Sequence, residues 1–344
     1  MDALSHALLG FIAGQALQLD PNLQLLLIIS SVSLDIDALS IQSPEAAFRT
    51  HRGPIHSILA AIVASLLIAT GHTIFTGLPL ANLASTVLIC LTGTLSHVFL
   101  DVFTMGSMTA LWPISRRNFA LNLTHFLDPT VLAALIIAAL IMTYTKTDTS
   151  AIQLVAGVAL AFLALNFGAR YYEKNAAAKT VKGLDNDATS EIISLPTIRP
   201  DRWWAVKKTP FESGYSYEIY RVNPFRNKIL DKDTVESPYT HYNGPAEPPI
   251  DSPQKAVARS KKDKKISATV DKFVLPAVSI HHSKEDNTWQ VFWHDAFTYA
   301  VKREHRGILT HIKVDGTITT EARWLFTTRP RNSSQVKSRR RDAS

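Results

Sequence analysis

The chain contains a single cysteine, Cys90, which lies within an apolar stretch. No disulfide can therefore form within the chain, and cysteine usage indicates no particular redox compartment. Lysine and arginine are absent from the start, Met1-Asp2-Ala3-Leu4-Ser5-His6, which therefore lacks the basic region of a cleaved secretory signal peptide. Charged residues are scarce up to about residue 170, and this predicts a membrane domain for the first half of the chain.

Six apolar runs occupy this first half, at residues 4–19, 22–39, 55–76, 82–104, 130–145 and 152–169. A helix needs roughly 20 apolar residues to cross a bilayer, with a range of about 17–25. The third and fourth runs meet this length, and the fifth and sixth are slightly short but strongly apolar. The first two are marginal and fit a helical hairpin that crosses only in part. The sequence therefore predicts an all-α polytopic membrane domain of about 4–6 helices.

The second half is polar, and it predicts a smaller β-rich cytoplasmic domain. Runs rich in aromatic and β-branched residues indicate strands at residues 202–206, 215–222, 289–293, 308–314 and 323–326, and Asp315-Gly316 indicates a hairpin turn. We divide the chain into a membrane domain at 1–172, a linker at 173–194, a soluble domain at 195–330 and a disordered basic tail at 331–344. Prolines and a lysine run predict a disordered insertion near 243–266 within the soluble domain.

Charge distribution predicts the orientation in the membrane. With six spans, the basic residues of the first half and its boundary fall on one side, and the opposite side carries only Lys146. The positive-inside rule places that basic side, and the whole second half, in the cytoplasm. The net charge of +7 comes mainly from the second half and favours contact with anionic lipid headgroups, with no direct binding of nucleic acid expected. The basic residues are Arg49, Arg52, Arg116, Arg117, Arg170 and Lys174.

Histidine and aspartate residues gather at the predicted cytoplasmic ends of the apolar runs. His97 and Asp101 are four residues apart, so in a helix they share one face and could bind one divalent metal. Ionisable groups are costly in a hydrocarbon segment and usually mark a function. The predicted metal ligands are His6, Asp35, Asp37, His51, His56, His97 and Asp101, with His125 and Asp128 behind them.

Each of these residues also has a simpler interpretation. Asp35 and Asp37 are two apart and cannot share a helical face, so one could cap a helix or orient a histidine. Arg52 could neutralise a substrate phosphate or only follow the positive-inside bias. Asp128-Pro129 is a natural helix start, although we also consider Asp128 a candidate catalytic residue together with Arg52. The histidine and carboxylate pair could equally form a plain hydrogen bond.

The donor set indicates the metal and the reaction. Histidine with carboxylate suits Zn²⁺, Mn²⁺ or Fe²⁺ better than Ca²⁺, which prefers oxygen ligands. We expect zinc, with manganese as the alternative. The set is large enough for two metal positions, and paired metals assist phosphoester hydrolysis by clamping the attacking and leaving oxygens. The predicted reaction is therefore hydrolysis of a phosphoester or ester.

Five motifs of the first half carry a resemblance to a known family. They are Ser5-His6-Ala7-Leu8-Leu9-Gly10, Leu34-Asp35-Ile36-Asp37, His51-Arg52-Gly53-Pro54-Ile55-His56-Ser57, His97-Val98-Phe99-Leu100-Asp101-Val102-Phe103-Thr104 and Leu111-Trp112-Pro113-Ile114-Ser115. In order and spacing they resemble the bacterial membrane-bound metal-dependent hydrolase family, also described as LexA-binding, inner-membrane-associated hydrolases. The resemblance implies a multi-pass protein of the bacterial inner membrane, with Ser5 standing where the family has threonine. The order of histidines and aspartates is also similar to zinc-dependent phospholipase C, which suggests a lipid-borne phosphoester as substrate by analogy.

Two other functions compete with the hydrolase. The membrane half could anchor a non-enzymatic regulator whose cytoplasmic half binds a protein such as LexA. Alternatively, the chain could be a structural scaffold in which the histidines and aspartates form only a hydrogen-bonded network.

Overall fold

The computed structural model describes residues 1–38, 53–106, 108–115, 117–145, 148–184, 189–240, 246–271, 273–298 and 307–321. Within these ranges the first half is helical and the second half is mainly β-sheet, which confirms the predicted fold class. The six apolar helices are α1 (Ala3–Ala16), α2 (Pro21–Val32), α3 (Ile58–Thr76), α4 (Leu83–Phe103), α5 (Pro129–Tyr144) and α6 (Thr149–Lys182). Short 3-10 helices at Ser33–Ala38 and Pro54–His56 follow α2 and precede α3.

Three of the described helices are long and apolar enough to cross a membrane: Ile58–Thr76, Leu80–Phe103 and Thr149–Lys182. The apolar helices at the other three predicted runs are shorter, at 14, 12 and 16 residues. Helix α6 has 34 residues and continues beyond the apolar run into the stretch predicted as a linker. The predicted domain boundaries stay a prediction.

Polar caps set where the helices begin. Asp20 and Asp128 each accept two backbone N–H groups ahead of a proline at the first helical position, the arrangement that favours a sharp helix start. Ser57 caps α3 by accepting the Ala60 N–H, and Gly77 ends the helix with a φ of 67°. This cap fixes the backbone immediately after His56.

Helices α1, α2 and α4 pack closely because small residues face one another. A Cβ added to Gly10 would lie 2.6 Å from Ser31 Oγ, and one added to Gly93 would lie 2.9 Å from the Leu27 carbonyl oxygen. The hydroxyls of Ser30 and Ser31 donate to backbone carbonyls four residues earlier in α2, so these side chains lie close to their own helix. Close packing of small residues is the usual means of helix association in membranes.

The second half contains two four-stranded meanders. The first sheet has strands β1 (Glu191–Pro196), β2 (Trp203–Phe211), β3 (Gly214–Asn223) and β4 (Lys228–Ser237). The second has β5 (Pro276–Ser283), β6 (Thr288–Asp295), β7 (Gly307–Lys313) and β8 (Ile318–Glu321). Antiparallel pairing of β7 with β8 confirms the hairpin predicted at Asp315-Gly316.

Contacts divide the chain into two compact units. One comprises the described residues of Met1–Pro210 and Tyr217–Thr234, and the other comprises those of Phe211–Ser216 and Val235–Ser344. In the first unit, Ala177 and Val181 near the end of α6 pack against Trp203, Tyr220 and other buried residues of β2 and β3.

The second unit differs from the sequence prediction at the expected insertion. Helices α7 (Pro253–Lys262) and α8 (Lys264–Val270) form there, and residues 241–245 lie outside the described residues. Ser252 caps α7, and Val257 and Ile266 are buried against Val278 and Trp293. Burial of these apolar side chains stabilises the helices despite the lysine run. The predicted strand at 323–326 and the predicted tail at 331–344 lie outside the described residues.

Candidate metal centre

Three histidines and two aspartates from four segments meet in one buried cluster. His6 comes from α1, Asp35 and His56 come from the two 3-10 helices, and His97 and Asp101 come from α4. The four residues other than Asp35 are buried, and the Asp35 side chain is 13% exposed. The structure thus brings together five of the seven predicted ligands.

Donor atoms in this cluster lie at separations that suit a shared ion. Asp35 Oδ1 is 3.3 Å from His56 Nε2 and 3.5 Å from His97 Nε2. Asp101 Oδ2 is 3.9 Å from His56 Nε2 and 3.8 Å from His97 Nε2, and Asp101 Oδ1 is 3.4 Å from His6 Nε2. Ligands placed about 2.0–2.2 Å from one tetrahedral zinc lie about 3.3–3.6 Å from each other. The observed separations are close to this range.

His97 is held in one tautomer by a carbonyl of a neighbouring helix. Its Nδ1–H donates to the Ser31 carbonyl oxygen at 2.8 Å. In the neutral imidazole Nε2 therefore carries a lone pair, and this atom faces Asp35 and Asp101. Nε2 makes no hydrogen bond with any described residue. A carbonyl behind a histidine is the usual support for a metal ligand, because it fixes the ring and raises the basicity of the other nitrogen.

His6 completes the cluster from the side of α1. Its ring stacks on His97 with the centroids 3.8 Å apart and the planes 17° from parallel. Neither ring nitrogen of His6 makes a hydrogen bond within the described part of the chain, although the ring is buried. The α-amino group of Met1 also contacts Asp101. Buried nitrogens of this kind need an explanation, and a bound ion is one.

Two sets of three residues, among those that the structure describes, could each hold a metal ion. They are His6, Asp35 and His97, and His56, His97 and Asp101, with the donor atoms of each set within 4.8 Å of one another. Since His97 belongs to both sets, it is the central residue of the cluster. The residues present therefore fit a divalent cation bound by imidazole and carboxylate donors.

The other predicted site residues fall elsewhere. His51 and Arg52 lie outside the described residues, and Asp37 lies in the first 3-10 helix, where its side chain is not described. Asp128 caps α5 through Thr130 N–H and Val131 N–H, and its other oxygen accepts from Arg170 Nη2 at 3.0 Å. These contacts of Asp128 are structural, and its catalytic assignment stays a prediction.

Sequence reasoning missed the partners that support these residues. Arg170 also contacts Glu173 Oε2 at 3.3 Å, and the indole N–H of Trp203 donates to the same oxygen at 3.0 Å. The signal for this buried network was an arginine and a glutamate three residues apart after an apolar run. Ser31 was missed as well, and the signal was the polar pair Ser30-Ser31 within an apolar helix.

Comparison with known proteins identifies the family. Residues 1–177 match the family described as YdjM inner membrane protein. The uncharacterized protein YfhP of Bacillus subtilis (strain 168) is 29% identical over 140 residues, which are 38% of this chain and 42% of that protein. The chain thus matches less than half of the length of that relative, and no solved structure matches the chain. The family match covers more than half of the chain and all five clustered residues, so the chain belongs to the YdjM inner membrane protein family.

Proposed function

We propose that this inner-membrane protein is a metal-dependent hydrolase that cleaves a lipid-borne phosphoester or ester at the His/Asp centre. One observation carries the proposal: His97 Nε2 and His6 Nε2 are buried beside two carboxylates without hydrogen bonds to described residues. The membrane-bound metal-dependent hydrolase family and zinc-dependent phospholipase C, which the motifs resemble, support the reaction class by analogy.

In this proposal the clustered residues hold the ion, with zinc as the expected metal and manganese as the alternative. His6, Asp35, His56, His97 and Asp101 are the ligands, and Asp37 and His51 complete the set assigned from the sequence. A divalent metal would supply a bound water of lowered pKa and a Lewis acid for the substrate oxygen. Ser31 holds His97 in the tautomer that leaves Nε2 free to bind. Arg52 neutralises the charge of the substrate phosphate.

The proposed site faces the cytoplasm, as the distribution of arginine and lysine predicts. His56 lies two residues before α3, and Asp101 lies two residues before the end of α4. Both helices are of membrane length, so the centre lies near the ends of two spans, where headgroups would be within reach.

Metal analysis of purified protein tests the proposal. We expect wild-type protein to retain zinc or manganese in stoichiometric amount, and the double variant His97→Ala with Asp101→Ala to lose it. His72→Ala is the matched control, because His72 lies in α3 outside the cluster. Metal-loaded wild-type protein is then screened against phosphoesters and lipids. Folded wild-type protein without metal under every loading condition would refute the proposal.

The non-enzymatic regulator remains the second candidate because the second unit has a core of its own. Val257, Val278, Val291, Trp293 and Ile308 are buried in it. In this alternative the C-terminal half binds a cytoplasmic protein such as LexA, and the membrane half serves as an anchor. Capture of purified LexA by the full chain in detergent, with equal capture by the metal-site double variant, is the expected result. Failure to capture LexA counts against it.

A further inference from the structure

The described residues between α4 and α5 fold back on themselves, with a parallel bridge from Thr104 to Thr124 and an antiparallel bridge from Met108 to Phe119. We call this fold-back the hairpin. Met105 N–H donates to the Thr124 carbonyl at 2.8 Å, and Met108 and Phe119 exchange two backbone hydrogen bonds of 3.0 and 2.8 Å. These bonds place residues 111–115 at the tip end of the hairpin. The motif Leu111-Trp112-Pro113-Ile114-Ser115, to which the proposed chemistry gives no role, lies there.

The base of the hairpin is fixed beside the metal centre. Met108 and Ala110 are buried in a cluster with Leu34, Ala61 and Val98. The Ala110 carbonyl accepts the Ile58 N–H at 2.9 Å, so the hairpin is bonded to the first residue of α3. These contacts hold the hairpin at the ends of two membrane-length helices, where His56 and Asp101 also lie.

The opposite side of the hairpin exposes an apolar tip, which we define as residues 111–114. Ile114 is 93% exposed and Leu111 is 41% exposed, and Trp112 and Pro113 lie between them. Arg117 follows the tip and lies 5.9 Å from the centre of the Phe119 ring. Exposed apolar side chains next to a basic residue are typical of segments that rest in the headgroup region of a membrane.

We propose that the apolar tip inserts into the lipid leaflet beside the His/Asp centre, so that the centre takes an amphiphilic substrate directly from that leaflet. The location of the tip is inferred from the geometry alone. The uptake of substrate from the leaflet rests on the proposed hydrolase function. Lipid is the occupant because the hairpin continues directly from α4 and is bonded to α3, and both helices expose apolar side chains such as Phe99 and Leu67. The backbone bonds of the hairpin hold the tip in this exposed position.

Site-specific labelling of the full chain in lipid nanodiscs tests the location. Wild-type protein is the labelling blank, because its one cysteine, Cys90, is buried. A polarity-sensitive fluorophore is attached at Ile114→Cys, at Leu67→Cys on the exposed face of α3, and at Glu285→Cys in the charged turn between β5 and β6. Each label is exposed to iodide in water and to lipids that carry a quencher near the headgroup.

We expect the label at position 114 to be quenched by the lipid quencher and protected from iodide, while the label at 285 shows the reverse. The label at 67 should also be protected from iodide. Iodide quenching at 114 equal to that at 285 would place the tip in water and overturn the inference. Protection of position 114 from both quenchers would mean that protein covers the tip, and this would also overturn it.

An activity measurement separates this inference from the proposed function. Leu111→Ser with Ile114→Ser should lower hydrolysis of a long-chain phospholipid in vesicles several-fold and leave hydrolysis of its monomeric short-chain analogue unchanged. Equal loss on both substrates would overturn the uptake of substrate from the leaflet. If no phospholipid is cleaved while the label at 114 lies in lipid, the hydrolase proposal fails and the location of the tip stands.

Discussion

Replacing Gly93 with alanine should separate α2 from α4 and disturb the support of His97. The added Cβ would lie 2.8 Å from Ser30 Cβ and 2.9 Å from the Leu27 carbonyl oxygen, closer than van der Waals contact allows. Overpacking of this kind typically costs about 1–3 kcal/mol. His97 follows Gly93 by four residues and therefore lies on the same face of α4. The shift in α2 would carry the Ser31 carbonyl away from His97 Nδ1.

Gly157→Ala is the matched control for this change. Gly157 lies in the long helix α6, and nothing lies within 4 Å of an added Cβ there. Alanine favours a helix over glycine by about 1 kcal/mol, so the control should be slightly more stable than wild type. We expect Gly93→Ala to be about 1–3 kcal/mol less stable than Gly157→Ala, because both variants gain the same helix propensity.

Reversible unfolding in mixed detergent micelles measures this difference, and metal titration of the folded variants measures the effect on the centre. Loss of the partner behind a metal-binding histidine typically lowers metal affinity about 10–100-fold. Gly157→Ala should retain wild-type affinity. Equal stability and equal metal affinity in the two variants would refute the close packing of α2 on α4 as the support of His97.

Three further predictions follow from buried charges and from the centre. Arg170→Met should lower the free energy of unfolding by about 3–5 kcal/mol, because it leaves Asp128 and Glu173 buried without their cation. The control is Arg199→Met, which removes an ion pair whose arginine side chain is 57% exposed and should lower the free energy of unfolding by about 0–1 kcal/mol. Burial raises the pKa of Asp295 to about 6, so the folded state binds the extra proton and stability should fall by roughly 3 kcal/mol as pH rises from about 4 to about 6. Urea unfolding across this pH range should show that fall in wild type and not in Asp295→Asn, and an identical profile in both would contradict the assignment. Chelation should lower the unfolding temperature of wild-type protein and added zinc should restore it, whereas His97→Ala should respond to neither. An ion whose free concentration is 100 times its dissociation constant stabilises the folded state by about 2.7 kcal/mol.

The sequence predicts the helices and five residues of the centre because their signals are local. Apolar runs define the membrane helices, and the spacing of His97 and Asp101 alone places both on one face. Asp35 and His56 could be selected as candidates because they interrupt or border such runs. Ionisable residues that are costly in an apolar segment can be recognised from the sequence without knowledge of the fold.

The supporting contacts could not be read in the same way, because they join segments that are distant in the chain. Ser31 reaches His97 through a backbone carbonyl, an atom that every residue carries, so the residue type gives no hint. From the sequence, Trp203 is an ordinary strand residue. In the structure its indole N–H donates to Glu173 of α6. Helix α7 could not be predicted because its sequence is rich in lysine and has few apolar residues. Ala256 and Val257 are nevertheless buried in the structure.

A hydrogen-bonded network and a cation site make different demands on the atoms of the His/Asp centre. In a network each buried acceptor must face a donor. His97 already uses Nδ1–H on Ser31, so in the neutral ring Nε2 is an acceptor, and it faces carboxylate oxygens of Asp35 and Asp101, which also only accept. Acceptors that face one another at 3.5 and 3.8 Å lie beyond the usual 2.7–3.2 Å of an N–H···O hydrogen bond. A cation between them would satisfy His97 Nε2 and bind both carboxylates, so the surroundings of this one nitrogen support the proposed metal centre over a neutral network.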